Sequence, residues 1–494
     1  VKRTAIFGPP GTGKTTKLLE IIEQELKAGV NPLEIAFVSF TNAAVNEAKT
    51  RTAKKFTLKK KDMFWFRTIH SLCFSLSRLP GQQVVTYGDL RVFAQIHRVV
   101  DFSGNPRKKE RGDVALEAYN LSRAAQISLK DAWMKSTDWV VHDFSIMEDF
   151  VGAYEEWKET TGRVDFQDMI DNYLRNPVVT DIKVSIIDEV QDLNGQQWEV
   201  IEQTFANSER QYVAGDDDQS IYAWSGSRVD KMLEYPADEK IMLTQSYRCP
   251  KKVHAVANII LNRIKVREPK EWSPRDSTGE FKMYGDYAFI PFDKYKGETW
   301  FVLARSDFML DDVRWWLKSI GGIYKDENGW SVNNRIAKKI MTIIKLKNGE
   351  KVPAQSLRTA IWDSRLDYNV IDLIHLPTKG LATAKDAKIN LDGVDPVEIF
   401  SKVIGDTDQI DYYQRALAIN KDLDQLPKIE LSTIHKAKGR EADNVVIILD
   451  QTGNILDASI LDPDNEHRNW YVAVTRAKKR LHCIMPSSVH GYDL

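Results

Sequence analysis

Ala5-Ile6-Phe7-Gly8-Pro9-Pro10-Gly11-Thr12-Gly13-Lys14-Thr15-Thr16, close to the start of a chain of 494 residues, joins a short apolar strand to a glycine-rich turn. The turn matches the phosphate-cradling pattern G-x-x-x-x-G-K-[ST] at every fixed position. Apolar residues then recur at Leu18, Leu19, Ile22 and Leu26, which is helical spacing, and Gly29 and Pro32 stop the run. Strand, turn and helix start together aim backbone N–H groups and the positive end of a helix at a phosphate chain. The stretch therefore predicts a site for a nucleoside triphosphate along Gly8–Thr16. Lys14 is expected on the outer phosphates, and the Thr15 hydroxyl on Mg²⁺.

Outward from this turn, short apolar or β-branched runs alternate with helical stretches: Ile35–Phe40, Val184–Ile187, Tyr212–Ala214, Trp300–Ala304, Val445–Leu449 and Leu481–Met485. That alternation predicts parallel sheets covered by helices, an α/β fold. Between about Leu76 and Val164 the pattern changes to amphipathic helices, as in Leu90–Val100 and Phe144–Trp157. A second irregular region lies between about Lys345 and Lys428. The expected organisation is a first α/β domain of residues 1–75 and 165–250 with a helical insertion at 76–164. A second domain would comprise 251–345 and 428–494, with a short insertion at 346–427.

Hydrophobic content of 43% with 28% charge is ordinary for a globular protein, and the length suggests several domains. No apolar run approaches the roughly 18 residues that cross a bilayer, so a soluble, cytoplasmic protein without a membrane partner is expected. The three cysteines, Cys73, Cys249 and Cys483, are far apart and form no C-x-x-C pair. They read as reduced thiols. The net charge of −1 gives no global attraction to nucleic acid, but charge is unevenly placed. Lys49, Arg51, Lys54, Lys55, Lys59, Lys60 and Lys61 run without an acid between Lys49 and Lys61, and Arg107-Lys108-Lys109 with Arg111 makes a second cluster. Such local basic surface suits a phosphate backbone or a merely solvated face.

Val184-Ser185-Ile186-Ile187-Asp188-Glu189 is an apolar strand ending in two acids. Asp188 is placed to reach Mg²⁺ at the carboxyl end of the strand, and Glu189 to orient the attacking water. Gly215-Asp216-Asp217-Asp218-Gln219-Ser220-Ile221-Tyr222-Ala223-Trp224-Ser225-Gly226 follows another buried strand. Three carboxylates beside a triphosphate would repel it unless most point away or serve capping and outer Mg²⁺ roles. Gln219, neutral and able both to donate and to accept, is the better sensor of the γ-phosphate. Tyr222 and Trp224, two residues apart, could present aromatic planes on one side.

With these blocks stand, in order, Ser39-Phe40-Thr41-Asn42, Arg67-Thr68-Ile69-His70-Ser71, Asp188-Glu189-Val190-Gln191-Asp192, Leu243-Thr244-Gln245-Ser246-Tyr247-Arg248, Leu431-Ser432-Thr433-Ile434-His435-Lys436-Ala437-Lys438-Gly439-Arg440-Glu441 and Tyr471-Val472-Ala473-Val474-Thr475-Arg476-Ala477. Across most of its length the chain resembles a superfamily 1 helicase of the UvrD/Rep type. The resemblance implies two RecA-like domains forming an ATP cleft, each with an inserted accessory subdomain, and ATP with Mg²⁺ as cofactors. It implies that Tyr247 stacks on adenine, that Gly439 and Glu441 lie by the nucleotide, and that Arg248 and Arg476 reach the γ-phosphate from across the cleft. Planar, permanently charged guanidinium groups suit the charge that phosphoryl transfer spreads over its equatorial oxygens. By the same resemblance Phe40, His70, Tyr222 and Trp224 line a single-strand track, with Thr41, Asn42, Thr433 and His435 on the backbone. Stacking on aromatic faces accepts any base, as a motor requires.

The implied activity is ATP-driven translocation on single-stranded DNA with unwinding at single/double-strand junctions, 3′ to 5′ as in the family. The alternatives are a translocase that strips proteins without useful unwinding, and a nucleotide-gated clamp. RNA as the track stays open, since no residue identified reads a 2′-hydroxyl. The sequence names no protein partner. The family's adenine-reading glutamine segment has no counterpart in the seven residues ahead of Gly8, so loose nucleotide choice is expected. Ser225 stands where the family often has Arg, and Arg440 where it has an apolar residue.

Overall fold

The computed structural model describes the chain except residues 78–82, 104–109, 136–142, 296, 363, 405–406 and 488. Two compact units emerge. The first comprises Val1–Gly279, Thr452–Thr475 and Leu494; the second comprises Glu280–Gln451 and Arg476–Asp493.

In the first unit, chain order gives β1 (Lys2–Phe7), β2 (Ile35–Ser39), β3 (Phe66–Thr68), a short pair β4 (Gln83–Val84) and β5 (Arg163–Val164), then β6 (Val184–Asp188), β7 (Arg210–Gly215) and β8 (Glu239–Met242). Six of them form one parallel sheet in the order β3-β2-β6-β7-β1-β8. β2 and β6 are buried at every position, the polar Ser39, Ser185 and Asp188 included, which is why apolar residues stand at adjacent positions in both rather than alternating. Successive side chains nonetheless point to opposite faces. Ile6, Phe37 and Ile186 pack on one face with helices α1 (Lys14–Lys27) and α2 (Asn42–Phe56). Phe7, Val38 and Ile187 pack on the other with α3 (Ile69–Leu76) and with Ile170 and Trp198. Each such buried side chain contributes about 1.5–3 kcal/mol. Because the strands are parallel, the turns after β1, β2, β3, β6 and β7 all emerge at one carboxyl edge, and every N-terminal block of the sequence reading lies there.

The helical insertion is α4 (Tyr87–His97), α5 (Arg111–Ala125), α6 (Leu129–Lys135) and α7 (Phe144–Thr161). Its core is aromatic: Phe93 meets Tyr154 edge-on at 5.6 Å, and Phe150 stacks on Tyr154 at 5.5 Å. Arg107-Lys108-Lys109 lies outside the described residues. The chain returns through α8 (Phe166–Arg175), whose Asp165 cap, with Asp168 and Asp171, is held by Arg123 of α5 and Lys158 of α7. α9 (Gly195–Thr204) and α10 (Val229–Leu233) complete the cover.

The sequence boundary at 250 does not coincide with the division between the units. β9 (Gln245–Pro250) pairs with β10 (Ser273–Arg275), and α11 (Lys251–Leu261) packs on the helix Pro463–Val474. That helix buries Trp470, Tyr471 and Val472, and its Asp464 accepts from the Lys265 and Val266 amides at 3.0 and 2.8 Å. Residues 251–279 and 452–475, expected in the C-terminal domain, thus fold with the first unit.

The second unit carries β11 (Glu280–Tyr284), β12 (Trp300–Ala304), β13 (Tyr324–Asp326), β14 (Gly329–Trp330), the separate pair β15 (Val352–Pro353) and β16 (Leu381–Ala382), then β17 (Ile429–Thr433), β18 (Ala442–Ile448) and β19 (Ala477–Ile484). The sheet order is β11-β19-β18-β12-β17-β13-β14, parallel except for the β13–β14 hairpin. Both units are thus α/β with parallel, RecA-like sheets. The insertion starts earlier than the expected 346: the helix Asn334–Lys347 buries Ile343 and Leu346 in one core with Leu357, Ile361 and Ile399. An amphipathic helix whose apolar stripe faces that core cannot be divided. All three cysteines are free and buried. Among the described residues, no helix is long and apolar enough to cross a membrane.

Candidate nucleotide and nucleic-acid site

At the first turn, Gly8 N donates to the Gly215 carbonyl at 3.0 Å, Thr12 Oγ1 to the Pro9 carbonyl at 2.8 Å, and Lys14 Nζ to the Gly8 carbonyl at 2.8 Å. Gly13 caps α1 in the left-handed region, so α1 starts at Lys14 and carries Thr15 and Thr16 in its first turn. Gly11, at φ +70°, has no room for a side chain: a Cβ would lie 2.3 Å from Arg248 Cβ. The crowding comes from a second attachment. Tyr247 N donates to the Gly11 carbonyl at 2.8 Å, and Ser246 Oγ to the Pro10 carbonyl at 2.7 Å. Tyr247 and Arg248 therefore stand directly on the phosphate turn, and the Tyr247 ring is 70% exposed, open to a base. Arg248 belongs to the same unit as the turn rather than reaching it from the other domain. The reason is covalent: β8 pairs with β1, so the chain leaving it must pass Gly11.

Asp188, the last residue of β6, is buried, and its carboxylate accepts the Glu189 amide at 3.0 Å. Burial, then the Glu189 charge, push its carboxyl up to about 7 against the pull of Lys14. A carboxylate so disfavoured gains from a hard cation, and Asp188 with the Thr15 hydroxyl is an oxygen donor set that fits Mg²⁺. Glu189 is a non-glycine residue held at φ 56°. Such strain persists where the surroundings impose it. Here Gln191 does so: its Nε2 donates to Glu189 at 2.6 Å and to Asp192 at 3.2 Å, and its Oε1 accepts the Asp216 amide at 3.1 Å. Gly215 is glycine for the same reason, since a Cβ there would lie 2.4 Å from Gln191 Oε1. Gln191 has no role that its sequence position reveals. Only the fold brings it between the two acidic blocks.

Asp216, Asp217 and Asp218 are completely buried and face a cation that the sequence reading missed. Lys270 Nζ lies 3.4, 2.5 and 2.6 Å from their carboxylates, Arg267 forks onto Asp218 at 2.8 and 2.7 Å, and the Glu268 amide donates to Asp217 at 2.8 Å. These acids are charge-neutralised within an internal ion cluster, and Asp216 also fills the expected capping role, its carboxylate accepting the Asp218 amide at 3.3 Å. The ammonium of Lys270 occupies the place a metal would take. Burial and Asp218 push the Asp217 carboxyl up to about 6, while burial works against and Arg267 and Lys270 work for an ionised Asp218, held below the usual range. The available signal was Arg267-Glu268-Pro269-Lys270, a cationic stretch some fifty residues downstream that no spacing rule connects to Asp216–Asp218. Gln219 is buried as well, and its Nε2 donates to Asp216 at 2.6 Å.

An aromatic row borders the same carboxyl edge. Phe40 stacks on Tyr222 at 5.8 Å, and Tyr222 meets Trp224 edge-on at 6.2 Å. Trp224 is 61% exposed, so it is not a core residue. Burial pushes the Tyr222 hydroxyl up to about 12. The Ser225 hydroxyl donates to the Tyr222 carbonyl at 2.9 Å and closes the turn beneath the ring. Thr41 caps α2 through Ala44 N at 3.3 Å, which leaves Asn42 exposed in the first turn. His70, whose ring burial holds below its usual range, meets Phe166 edge-on at 5.7 Å. Phe166 is exposed beside the Asp165 cap, and its first-turn position was the only sequence signal for it.

The remaining expected residues lie in the second unit. Thr433 ends β17 and caps the helix Ile434–Ala437, which carries His435. Gly439, at φ 78°, forms the turn behind it, and Glu441 is exposed with Lys478 Nζ at 3.7 Å. Arg440 lies over the Phe301 ring at 5.0 Å, which accounts for a charged residue at an apolar place. Arg476 is buried and donates to the Arg440 carbonyl at 3.2 Å.

The UvrD/REP helicase N-terminal domain model matches residues 2–240, and the UvrD-like helicase C-terminal domain model matches residues 408–488. The ATP-dependent DNA helicase PcrA of Staphylococcus aureus is 25% identical over 295 residues, 56% of this chain and 40% of that protein. PcrA of Leuconostoc citreum is 25% identical over 299 residues, 56% and 39% of the two chains. A probable DNA helicase II homolog of Mycoplasma capricolum is 25% identical over 303 residues, 56% and 41%. The chain spans about two fifths of the length of these relatives. With both halves of the family pattern matched in order over parallel sheets of the expected kind, the chain belongs to the UvrD/Rep family of superfamily 1 helicases.

Proposed function

We propose that this protein hydrolyses ATP with Mg²⁺ to move along single-stranded DNA and to open duplex at single/double-strand junctions, 3′ to 5′. The observation that carries the reading is the bridge Glu189–Gln191–Asp216, which connects the candidate water-orienting acid to the block bearing Tyr222 and Trp224. A shift of one acceptor is felt by the other, so nucleotide state and the aromatic row share one hydrogen-bonded element. Bound ATP·Mg²⁺ supplies the phosphoanhydride and its charge-neutralising cation, held by Lys14, Thr15 and Asp188 with the Gly8–Thr16 backbone. Glu189, fixed by Gln191, orients the attacking water. Gln219 responds to the outer phosphate, Arg248 supplies guanidinium charge beside Gly11, and Arg476 of the second unit keeps the second such role. Tyr247 carries the base by stacking, with Gly439 and Glu441 as further nucleotide contacts. Phe40, Tyr222, Trp224 and His70 carry the strand by ring faces, with Thr41, Asn42, Thr433 and His435 on its backbone.

The test is steady-state ATPase with and without single-stranded DNA, followed by strand separation on DNA and RNA duplexes bearing either overhang. Unstimulated ATPase removes the motor. Stimulation without strand separation reduces the proposal to translocation, and separation from the opposite overhang reverses the polarity. Trp224→Ala is expected to weaken single-strand binding by about 1–3 kcal/mol. Binding to wild type should fall steeply with salt despite the near-zero net charge, because contacts to phosphates release counterions. Equilibrium titrations from low to moderate salt check both, and a flat salt response would remove nucleic acid from this surface.

A further inference from the structure

The Lys49–Lys61 run is only partly neutralised. Arg51 pairs with Glu47 at 3.1 Å and Lys55 with Glu23 at 2.5 Å. Lys49 and Lys60 have no carboxylate partner among the described residues, and the nearby Asp62 carboxylate is taken by the Lys59 amide at 2.9 Å. Arg67, on the edge strand β3, lies over the Phe64 ring with 4.3 Å from Cζ to the centroid. Its Nε donates to the Phe64 carbonyl at 2.8 Å and its Nη1 to Ser71 at 3.1 Å. Phe64 is exposed, and Trp65 meets it edge-on at 5.0 Å. Exposed aromatic and unpaired cations thus share one flank of the sheet.

We propose that Lys49, Lys60, Arg67 and Phe64 form a second single-strand subsite, with the cations on phosphates and the Phe64 ring under a base. It extends the aromatic row around the β3 edge. Continuity favours a nucleic-acid strand as the occupant. α2 begins two residues after Phe40 and runs back along the sheet, so Lys49 lies about 10 Å from the row along the helix. A strand covers that distance in a few nucleotides, at about 3.4 Å or more for each. The like charges are held together at a cost: partial burial, then Arg67 and Lys60, keep the Lys49 ammonium below its usual range. A phosphate relieves that repulsion, whereas a plain solvated face leaves it unrelieved.

The inference rests on the proposed single-strand track, and the experiment separates the two. Affinity is measured against salt for an oligodeoxynucleotide of about 6 nucleotides, enough for the aromatic row, and one of about 16. The proteins are wild type, Lys49→Gln/Lys60→Gln and Phe64→Ala. Expected for the longer strand is a salt slope shallower by about 1.4 in the double variant, two phosphate contacts at about 0.7 each. Phe64→Ala should weaken it about fivefold or more. All three proteins should bind the short strand alike, which also shows that the variants are folded. Unchanged slope and affinity for the longer strand in both variants overturn the subsite and leave the track standing. Failure of wild type to bind either strand overturns both.

Discussion

Lys14→Ala and Glu189→Gln are each expected to lower the proposed ATP turnover about 10²-fold or more, by different routes. Lys14 stands on the phosphate turn, its Nζ donating to the Gly8 carbonyl at 2.8 Å. Its removal leaves the outer phosphates without their partner and weakens nucleotide binding along with kcat. Glu189→Gln keeps the shape of the side chain but loses its charge. ATP remains bound, while its water is poorly oriented and loses its proton acceptor. Removing one preorganised electrostatic contact costs about 10²–10³ in kcat, and removing a general base about 10²–10⁴. Nucleotide affinity and single-turnover rates with saturating single-stranded DNA separate the routes. Near-normal turnover in Glu189→Gln would transfer the catalytic role to another carboxylate.

Lys270→Met is expected to destabilise the first unit by about 3–5 kcal/mol, the cost of leaving buried charges without their partner. Asp216, Asp217 and Asp218 are all fully buried, and Arg267 forks onto Asp218 alone. The free energy comes from denaturant unfolding followed by a probe in the first unit. Adding Asp217→Asn, which removes the carboxylate 2.5 Å from the ammonium, should restore more than half of the loss. A single variant within about 1 kcal/mol of wild type would show that the cluster is replaceable and does not hold the Gln219 loop. The expectation extends to catalysis, because Gln219 donates to Asp216, a member of the same cluster.

Much of the candidate site is legible in the sequence because it is local. A glycine turn after an apolar strand, an apolar strand ending in two acids, and aromatics two residues apart carry their chemistry in adjacent positions. The central strands β2 and β6 were legible for a related reason: burial on both faces leaves apolar residues at adjacent positions. β3 and β8 were not, since an edge strand of three or four residues with mixed burial gives too short a pattern.

Long-range partners were beyond such reading. Lys270 reaches Asp217 from 53 positions away and Asp464 caps Lys265 from 199 away, and neither pairing leaves a periodic trace. The same holds for the boundary of the first unit, which includes 452–475 because that helix buries its apolar face on α11. Residue order alone determined the glycine turn, the acid-ended strand and the parallel α/β class, since each depends on neighbours along the chain. Folding alone assigned Arg248 to the side of Gly11, Gln191 to the bridge and Lys270 to the acids. Burying an apolar core brings distant segments to one place, and buried charge is stable only where such a segment supplies its opposite.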